Sequence, residues 1–525
     1  MPSSTQDPSS TQDPSSTQDP SSTQDPSSTQ DPSSTQDPST KHKDPVADPR
    51  YSPRRWAALV VTLAAVLMDM IDATVLNVAL PSLRDDLGAS SAQVEWAIAG
   101  YTLAFAAAMI TGGRLGDMYG RRRVYLAGLG SFVVTSALAA SATGPQMLIA
   151  ARVLQGVAAA LMVPQVLAML QVEFPKSEHG KAMSMYGMCF ALGGLGGPLL
   201  GGVLLDADLL GLGWRPIFLV NIPIGVAAFI AAVVLTRESR SEQALSADVR
   251  GTAIATAGLL ALLYPLVEGR PLGWPLWILA VTAACPLLLW LFVRHERILA
   301  RRGGSPLVDP ALFRHRGVIG GLSVAVLFFC GTAYTLVLTV HLQTAAGYSP
   351  LRTALSMIPF TIGVGIGSGF APRLMPLGRT VVILGALVMA AGMALIVFSV
   401  DRYGTGIAPW QLIPGLVVAG LGMAMVAGTL LTIVLAKVPE AEAGAASALI
   451  NTSIQVGVAA GVALIGTVYF GRLDGGHDGV ESAVIGMGVV IGLYLLAAVL
   501  ALVLPPGAVR GTPAPASRVP QGSDA

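Results

Sequence analysis

The chain has 525 residues, of which 53% are hydrophobic and only 12% charged, and its formal net charge is +1 at pH 7. A soluble domain carries roughly twice this share of charged residues, so the composition excludes an ordinary soluble protein. The near-zero net charge indicates neither nucleic acid nor an acidic partner. Cys189, Cys285 and Cys330 lie far apart in apolar runs, and this spacing predicts no disulfide framework and no metal site.

The first fifty residues differ in composition from the rest of the chain. The hexapeptide PSSTQD begins at Pro2 and recurs six times without change, through Asp37. Regular prolines and a lack of apolar side chains are typical of a segment that forms no packed core. We therefore predict a disordered tail over residues 1–53, with a docking or phosphorylation segment as the alternative.

Apolar blocks follow the tail, each about twenty residues long and sufficient to cross the roughly 30 Å hydrocarbon layer of a bilayer. Charges, glycines or prolines separate them. Fourteen membrane helices are predicted, at 56–80, 94–115, 124–142, 146–170, 182–205, 216–236, 251–268, 275–293, 317–340, 352–372, 380–400, 410–436, 444–470 and 484–504.

The distribution of basic residues supports this count. An even number of helices places both termini on one side, and that side then receives 25 of the 32 Lys and Arg. Six fall on the other side, and Arg152 lies inside a helix. Basic loops mark the cytoplasmic side, so both termini are predicted to be cytoplasmic. The seven tryptophans all fall near predicted helix ends, as interfacial anchors do.

Charged side chains within the first and fourth helices are candidates for proton coupling. Asp69 and Asp72 are three residues apart and share one helix face, as do Arg152 and Gln155. Burial disfavours the charged form of a carboxylate, so Asp72 in particular could bind and release a proton. Arg152 stays charged and needs an anionic or carbonyl partner. A switching contact with Asp72 would link protonation to helix movement, whereas a static buried pair is the alternative.

The loop after the second helix combines glycines with opposite charges. Gly113 and Gly120 allow close approach, while Asp117 lies four residues before Arg121, which Arg122 follows. We predict a charge clasp that holds two helices together in one conformational state. The alternative is that the basic residues only orient the chain in the membrane.

The fifth helix carries a glycine ridge at Gly193, Gly197 and Gly201, with Pro198 inside it. Glycines four residues apart let another helix approach closely, and proline lets the helix bend. This pattern predicts either a general packing face or a hinge seam. It is not a nucleotide-binding loop, because no Lys-Ser/Thr follows.

Taken together, these segments resemble the major facilitator superfamily, and within it the fourteen-helix drug:proton antiporter branch. The matching stretches are 72–81, 113–123, 152–156, 193–202, 214–225 and 347–350, together with Asn451 and Gln455. The resemblance implies an all-α polytopic membrane protein with two six-helix bundles and two inserted helices between them. It also implies a substrate cavity between the bundles that opens alternately to each side.

We accordingly expect five segments: the tail 1–53, a first bundle over 54–240, two inserted helices and a cytoplasmic loop over 241–316, a second bundle over 317–504 and a disordered tail over 505–525. Four polar side chains are candidates for the substrate cavity, with structural hydrogen bonding between helices as the alternative. They are Asn77, Gln155, Asn451 and Gln455.

The predicted function is proton-coupled efflux of a lipophilic, drug-like small molecule across the cytoplasmic membrane, without enzymatic activity. The proton is the only cofactor expected, the partners are the lipid bilayer and an amphiphilic substrate but no nucleic acid, and the protein is expected to be monomeric. Proton-coupled uptake is one alternative. A membrane sensor or scaffold that uses the repeat tail is another.

Overall fold

The computed structural model describes residues 54–240, 248–308, 310, 312–314, 316–435 and 443–504. Fourteen helices in this part are long and apolar enough to cross a membrane, and its described residues contain no strand. The spans are α1 Arg55–Leu87, α2 Ser91–Tyr119, α3 Arg121–Ala140, α4 Pro145–Glu173, α5 Ser177–Asp206, α6 Pro216–Leu235, α7 Val249–Glu268, α8 Leu276–Arg301, α9 Gly317–Ala345, α10 Pro350–Phe370, α11 Arg379–Gly406, α12 Pro409–Val434, α13 Leu449–Asp474 and α14 Gly479–Val503. The predicted fold class is thereby confirmed, while the predicted tails 1–53 and 505–525 lie outside the described residues.

Several helices extend beyond the apolar runs that predicted them. α1 continues through Pro81 and the charged sequence LRDDL to Leu87, where Gly88 ends it with a φ of +60°. α8 likewise continues through the polar stretch from Arg294 to Arg301. A helix satisfies its own backbone hydrogen bonds, so it can leave the hydrocarbon layer without unfolding. Hydropathy therefore locates the span but not the helix end.

α9 is the least regular span. Its helix Arg316–Cys330 gives way to a 3₁₀ turn over Gly331–Ala333, and a second α-helical piece ends in a π turn over His341–Ala345. A β-carbon on Gly331 would lie 2.5 Å from the Tyr494 ring, so α9 and α14 approach closely at the first irregularity. The sequence-based prediction of one continuous helix over 317–340 missed the 3₁₀ turn, and the π turn lies beyond its predicted end.

The two bundles repeat one packing pattern. In the first bundle α4 packs against α2 and α3, α1 against α5, and α6 against α1 and α3. In the second bundle α12 packs against α10 and α11, α9 against α13, and α14 against α9 and α11. Each of these contacts in helices 1 to 6 thus has its counterpart in helices 9 to 14. This correspondence is the internal repetition expected of an alternating-access carrier.

The bundles meet along two equivalent seams, α2 with α13 and α5 with α10. The inserted helix α7 packs against α2, α13 and α8. α8 lies outside α7, and only 11% of the residues in its most apolar stretch are buried within the protein. The inserted pair therefore lies along one seam, with α8 facing the surroundings.

The loops between the spans lie at two faces of the molecule. The terminal face holds the beginning of α1, the end of α14 and the α2–α3 loop, and the opposite face holds the α1–α2 loop. Polar contacts between the bundles lie at the opposite face. Gln343 donates to the Val78 carbonyl over 2.9 Å, and Ser349 donates to Asp206 over 2.9 Å. These contacts close the opposite face in this conformation.

Candidate functional site

The carboxylate of Asp72 lies at the centre of a buried polar network in the first bundle. Arg152 forms an ion pair with Asp72 Oδ2, and both side chains are at most 1% exposed. Asp72 Oδ1 accepts hydrogen bonds from Gln155 Nε2 over 3.0 Å and from Asn221 Nδ2 over 2.9 Å. Gln155 also donates to Ser136 over 2.9 Å. Helices α1, α3, α4 and α6 therefore meet in one polar network, with α4 and α6 in direct contact with the carboxylate of α1.

Arg152 is held by more than Asp72. Its Nη1 donates to Gln155 Oε1 over 2.8 Å, and its Nε donates to the Ala97 carbonyl over 3.2 Å. The guanidinium also lies 4.1 Å from the Tyr101 ring centroid, which adds a cation–π contact. A buried guanidinium is tolerated when its donors are satisfied and a carboxylate balances its charge. Here Asp72 balances the charge, and acceptors are present for three of the five N–H groups of Arg152.

Asp69 lies in a separate environment on the same helix. It is 1% exposed, and its Oδ1 accepts a hydrogen bond from the Tyr101 hydroxyl. In the described structure the ion pair is with Asp72 and not with Asp69. The predicted coupling residues Asp72 and Arg152 are thus in direct contact, whereas Asp69 is connected to Arg152 through Tyr101.

Sequence reasoning missed three members of this site, namely Tyr101, Ser136 and Asn221. Asn221 carried the strongest available signal, because an amide inside an apolar helix needs a polar partner. Ser136 and Tyr101 carried none, since both residue types are common in membrane helices without a special role.

The glycine ridge of α5 packs against the part of α1 that carries the two aspartates. β-Carbons at Gly193 and Gly197 would collide with Met70 and Thr74, and one at Gly201 would lie 2.7 Å from Val75 Cγ2. Thr74 Oγ1 donates to the Gly193 carbonyl over 3.2 Å. The ridge with Pro198 therefore lies inside the first bundle, and its hinge role stays a prediction.

Gly202, one residue after the ridge, lies against the second bundle. A β-carbon on Gly202 would lie 2.7 Å from Leu351 Cα at the start of α10. The α5–α10 seam is therefore continuous with the end of the glycine ridge. A shift of α5 against α1 would reach the second bundle directly.

The residues of the predicted clasp lie at the terminal face, and their role in one conformational state stays a prediction. Arg121 pairs with Asp117 over 2.8 Å and donates to the Ala168 carbonyl on α4 over 3.4 Å. Gly120 has a φ of +109°, a conformation that favours glycine. These contacts join α2, α3 and α4 within the first bundle, so the clasp does not cross to the second bundle in this conformation.

The clasp has partners that sequence reasoning missed. The backbone amide of Arg122 donates to Glu238 over 3.2 Å, and Arg123 pairs with Glu238 over 3.6 Å. Gln165 donates to the Gly112 carbonyl over 2.8 Å, next to Gly113. Glu238 follows α6, so the clasp also holds the end of that helix.

The four predicted cavity residues occupy different environments. Gln155 is fully buried and belongs to the Asp72 network. Asn77 on α1 is half-buried, as are Asn451 and Gln455, which lie one turn apart on α13. Their predicted contact with substrate stays a prediction.

Two similar bundles of six helices, an inserted pair and a buried ion pair define a polytopic membrane carrier. A profile of the Major Facilitator Superfamily matches residues 62–462. The chain belongs to this superfamily.

Curated relatives include antibiotic exporters of actinomycetes. The chain is 43% identical to a probable actinorhodin transporter of Streptomyces coelicolor, over 81% of this chain and 74% of that protein. It is 36% identical to a puromycin resistance protein of Streptomyces alboniger, over 86% of this chain and 92% of that protein. It is also 36% identical to a cephamycin export protein of Amycolatopsis lactamdurans, over 87% of this chain and 93% of that protein. These relatives confirm the predicted efflux class.

Solved structures resemble this protein in fold. A POT family transporter superposes with a TM-score of 0.63 at 16% sequence identity, over 85% of this chain and 97% of that one. Identity this low supports a common architecture and carries no information about the substrate.

Proposed function

We propose that this protein exports an amphiphilic, antibiotic-like small molecule across the cytoplasmic membrane in exchange for protons. The observation that carries the proposal is the Asp72–Arg152 ion pair, which is buried inside a carrier related to antibiotic exporters. The relatives' names support this compound class.

Protonation of Asp72 is the coupling step in this proposal. The carboxylate neutralises Arg152 and accepts bonds from α4 and α6. A proton on Asp72 cancels the attraction and leaves Arg152 with an unbalanced charge in a low-dielectric site, which is costly. The four helices that meet there then favour a different arrangement. Because the glycine ridge packs beside Asp72, the change can pass to α5 and on to α10.

The closed opposite face fits an export cycle. We assign the terminal face to the cytoplasm, in agreement with the excess of Lys and Arg in its loops. The described conformation then corresponds to the state that accepts substrate from the cytoplasmic side. Opening of the Gln343–Val78 and Ser349–Asp206 contacts would release substrate outside.

The membrane potential and the pH gradient together supply enough free energy for export. A potential of 100 mV contributes about 2.3 kcal/mol per charge, and one pH unit contributes about 1.4 kcal/mol. One proton per cycle therefore sustains a gradient of roughly several-hundred-fold for a neutral substrate.

The remaining parts of the proposal concern location and partners. The protein is placed in the cytoplasmic membrane with both termini in the cytoplasm, and it acts as a monomer surrounded by lipid. It uses the proton as coupling ion, needs no other cofactor for transport, binds no nucleic acid and catalyses no covalent reaction.

Transport by purified protein in liposomes tests the proposal. Vesicles with an acidic interior are offered puromycin, cephamycin C and a fluorescent lipophilic cation, and accumulation is followed over time. In molecules whose cytoplasmic face points outward, uptake into the vesicle corresponds to export from the cell. We expect accumulation that depends on the pH gradient and is abolished by Asp72→Asn.

Asp69→Asn is the matched comparison, because it removes a second buried carboxylate from the same helix without breaking the ion pair. Gradient-driven accumulation that survives Asp72→Asn but not Asp69→Asn would move the coupling site to Asp69. Accumulation by the wild-type protein that does not depend on the pH gradient would contradict antiport.

A further inference from the structure

A cluster of three potential metal ligands lies at the terminal face, outside the proposed transport pathway. Asp248 caps the start of α7, while His295 and Glu296 belong to the end of α8. His295 Nε2 and Asp248 Oδ2 are 2.8 Å apart. One ligand atom from each residue lies within 4.8 Å of the other two. The inserted helix pair thus brings an imidazole and two carboxylates together.

Glu296 provides an independent indication that something binds here. Its residue is only 2% exposed, and its Oε2 accepts a bond from the Val308 amide over 3.0 Å. Its Oε1 is buried and has no hydrogen-bond partner among the described residues. A buried carboxylate oxygen without a partner is costly, because it has lost its bonds to water and gained none.

The unpartnered oxygen points into the cluster. A β-carbon on Gly251 would lie 2.6 Å from Glu296 Oε1 and closer still to Asp248 Oδ2, so both oxygens face the space beside this glycine. Two carboxylates in one buried space repel each other unless a positive charge lies between them. Any larger residue at 251 would fill that space.

We propose that Asp248, His295 and Glu296 bind a divalent transition-metal ion, with Zn²⁺ as the best match. Imidazole is a ligand for zinc and its neighbours in the first transition series, whereas Mg²⁺ and Ca²⁺ take oxygen ligands. Three protein ligands leave a fourth position for water.

The spacing of the ligand atoms fits this assignment. Tetrahedral ligands about 2.1 Å from zinc lie about 3.4 Å from one another. The 2.8 Å hydrogen bond between His295 and Asp248 would open slightly when zinc replaces its proton. Glu296 Oε1, the free ligand, would move inward, and small side-chain rotations are sufficient for both changes.

The bound ion would connect three parts of the chain that otherwise meet through few polar contacts. It joins the start of α7 to the end of α8, and Glu296 also holds the backbone at Val308. Arg114 on α2 binds the same segment through the Ser305 and Pro306 carbonyls. This segment leads to α9, so the ion would secure the connection between the inserted helices and the second bundle.

Zinc binding by the full-length protein in detergent tests the site directly. The protein carries no polyhistidine tag, is stripped with a chelator and is titrated with Zn²⁺ in a calorimeter, with thermal unfolding as a second measurement. We expect one tight site per chain and a zinc-dependent rise in unfolding temperature. His295→Gln and Glu296→Gln should each weaken binding by at least about 100-fold, since loss of a supporting group alone costs about 10-fold to 100-fold.

Two further variants distinguish zinc binding at this site from zinc binding elsewhere on the protein. His179→Gln removes an imidazole elsewhere on the terminal face and should leave binding unchanged. Gly251→Ala retains all three ligands but fills the space between them, so it should abolish binding. The proposal is wrong if zinc binds equally to every variant, or if the wild-type protein binds none. These measurements need no transported substrate and are independent of the outcome of the transport assay.

Discussion

Tyr101 on α2 lies against Arg152 on α4, with 4.1 Å between the ring centroid and the guanidinium carbon. The hydroxyl group of the same side chain donates a hydrogen bond to Asp69. Arg152 therefore contacts Asp72 directly and Asp69 through one intervening aromatic ring. A change in the charge of either aspartate alters the field at the same guanidinium, which makes the two carboxylates parts of one electrostatic unit.

The ion pair itself can be tested by a double-mutant cycle. Asp72→Asn or Arg152→Gln alone leaves one buried charge unbalanced and should destabilise the protein by about 3–5 kcal/mol. The double variant contains neither charge and should recover much of this loss. Thermal unfolding in detergent, followed by tryptophan fluorescence, measures the effect. Asp474→Asn breaks a partly exposed pair with Arg270 and should cost at most about 1 kcal/mol. Single variants as stable as wild type would contradict the buried pair.

The glycine ridge predicts a contrast between two neighbouring substitutions in α5. A β-carbon at Gly197 would overlap Thr74 Oγ1 and lie 2.9 Å from the Ile71 carbonyl, whereas none of the neighbouring atoms lies within 4 Å of one at Gly194. Gly197→Ala should therefore destabilise the protein by about 1–3 kcal/mol and slow transport. Gly194→Ala should be neutral or slightly stabilising. Equal unfolding temperatures for the two variants would refute close packing of α5 on α1.

A disulfide across the opposite face should trap the described conformation. Ser349 Oγ and Asp206 Oδ2 are 2.9 Å apart and belong to different bundles, so Asp206→Cys with Ser349→Cys places two thiols within reach. Oxidation should stop transport, and a reductant should restore it. The native cysteines are buried and contribute no competing cross-link. Each single-cysteine variant serves as a control, and continued transport by the fully oxidised pair would show that these contacts need not open.

The repeat tail distinguishes a carrier from a sensor. Removal of residues 2–40 leaves every residue of the ion pair, the clasp and the glycine ridge in place. We expect unchanged transport in liposomes, with initial rate as the measurement and protein amount per vesicle as the control. Loss of transport on deletion, at equal protein amount, would favour the alternative in which the tail is the functional module.

The contact between Asp72 and Arg152 could be predicted from sequence because charges inside membrane helices are few and must compensate one another. The close packing at Gly193 and Gly197 could also be predicted, since only glycine tolerates such a close approach of a second helix. Their partner helix was not predictable, because it depends on how α5 is rotated against its neighbours.

Other features depend on tertiary structure alone. Glu238 is one charge in a charged loop until α6 places it beside Arg122 and Arg123. The metal-ligand cluster was also missed, because Asp248 and His295 are far apart in sequence and approach only where α7 packs against α8.

The inserted helices make the two seams unequal. α7 runs along the α2–α13 seam, while the α5–α10 seam has no comparable cover among the described helices. Among the described helices, the α5–α10 seam is therefore the flank from which a hydrophobic compound dissolved in the lipid can approach the boundary between the bundles. Lateral entry, where it contributes to export, is directed to the side of α5 and α10, so side chains lining that flank select which membrane-dissolved compounds reach the carrier.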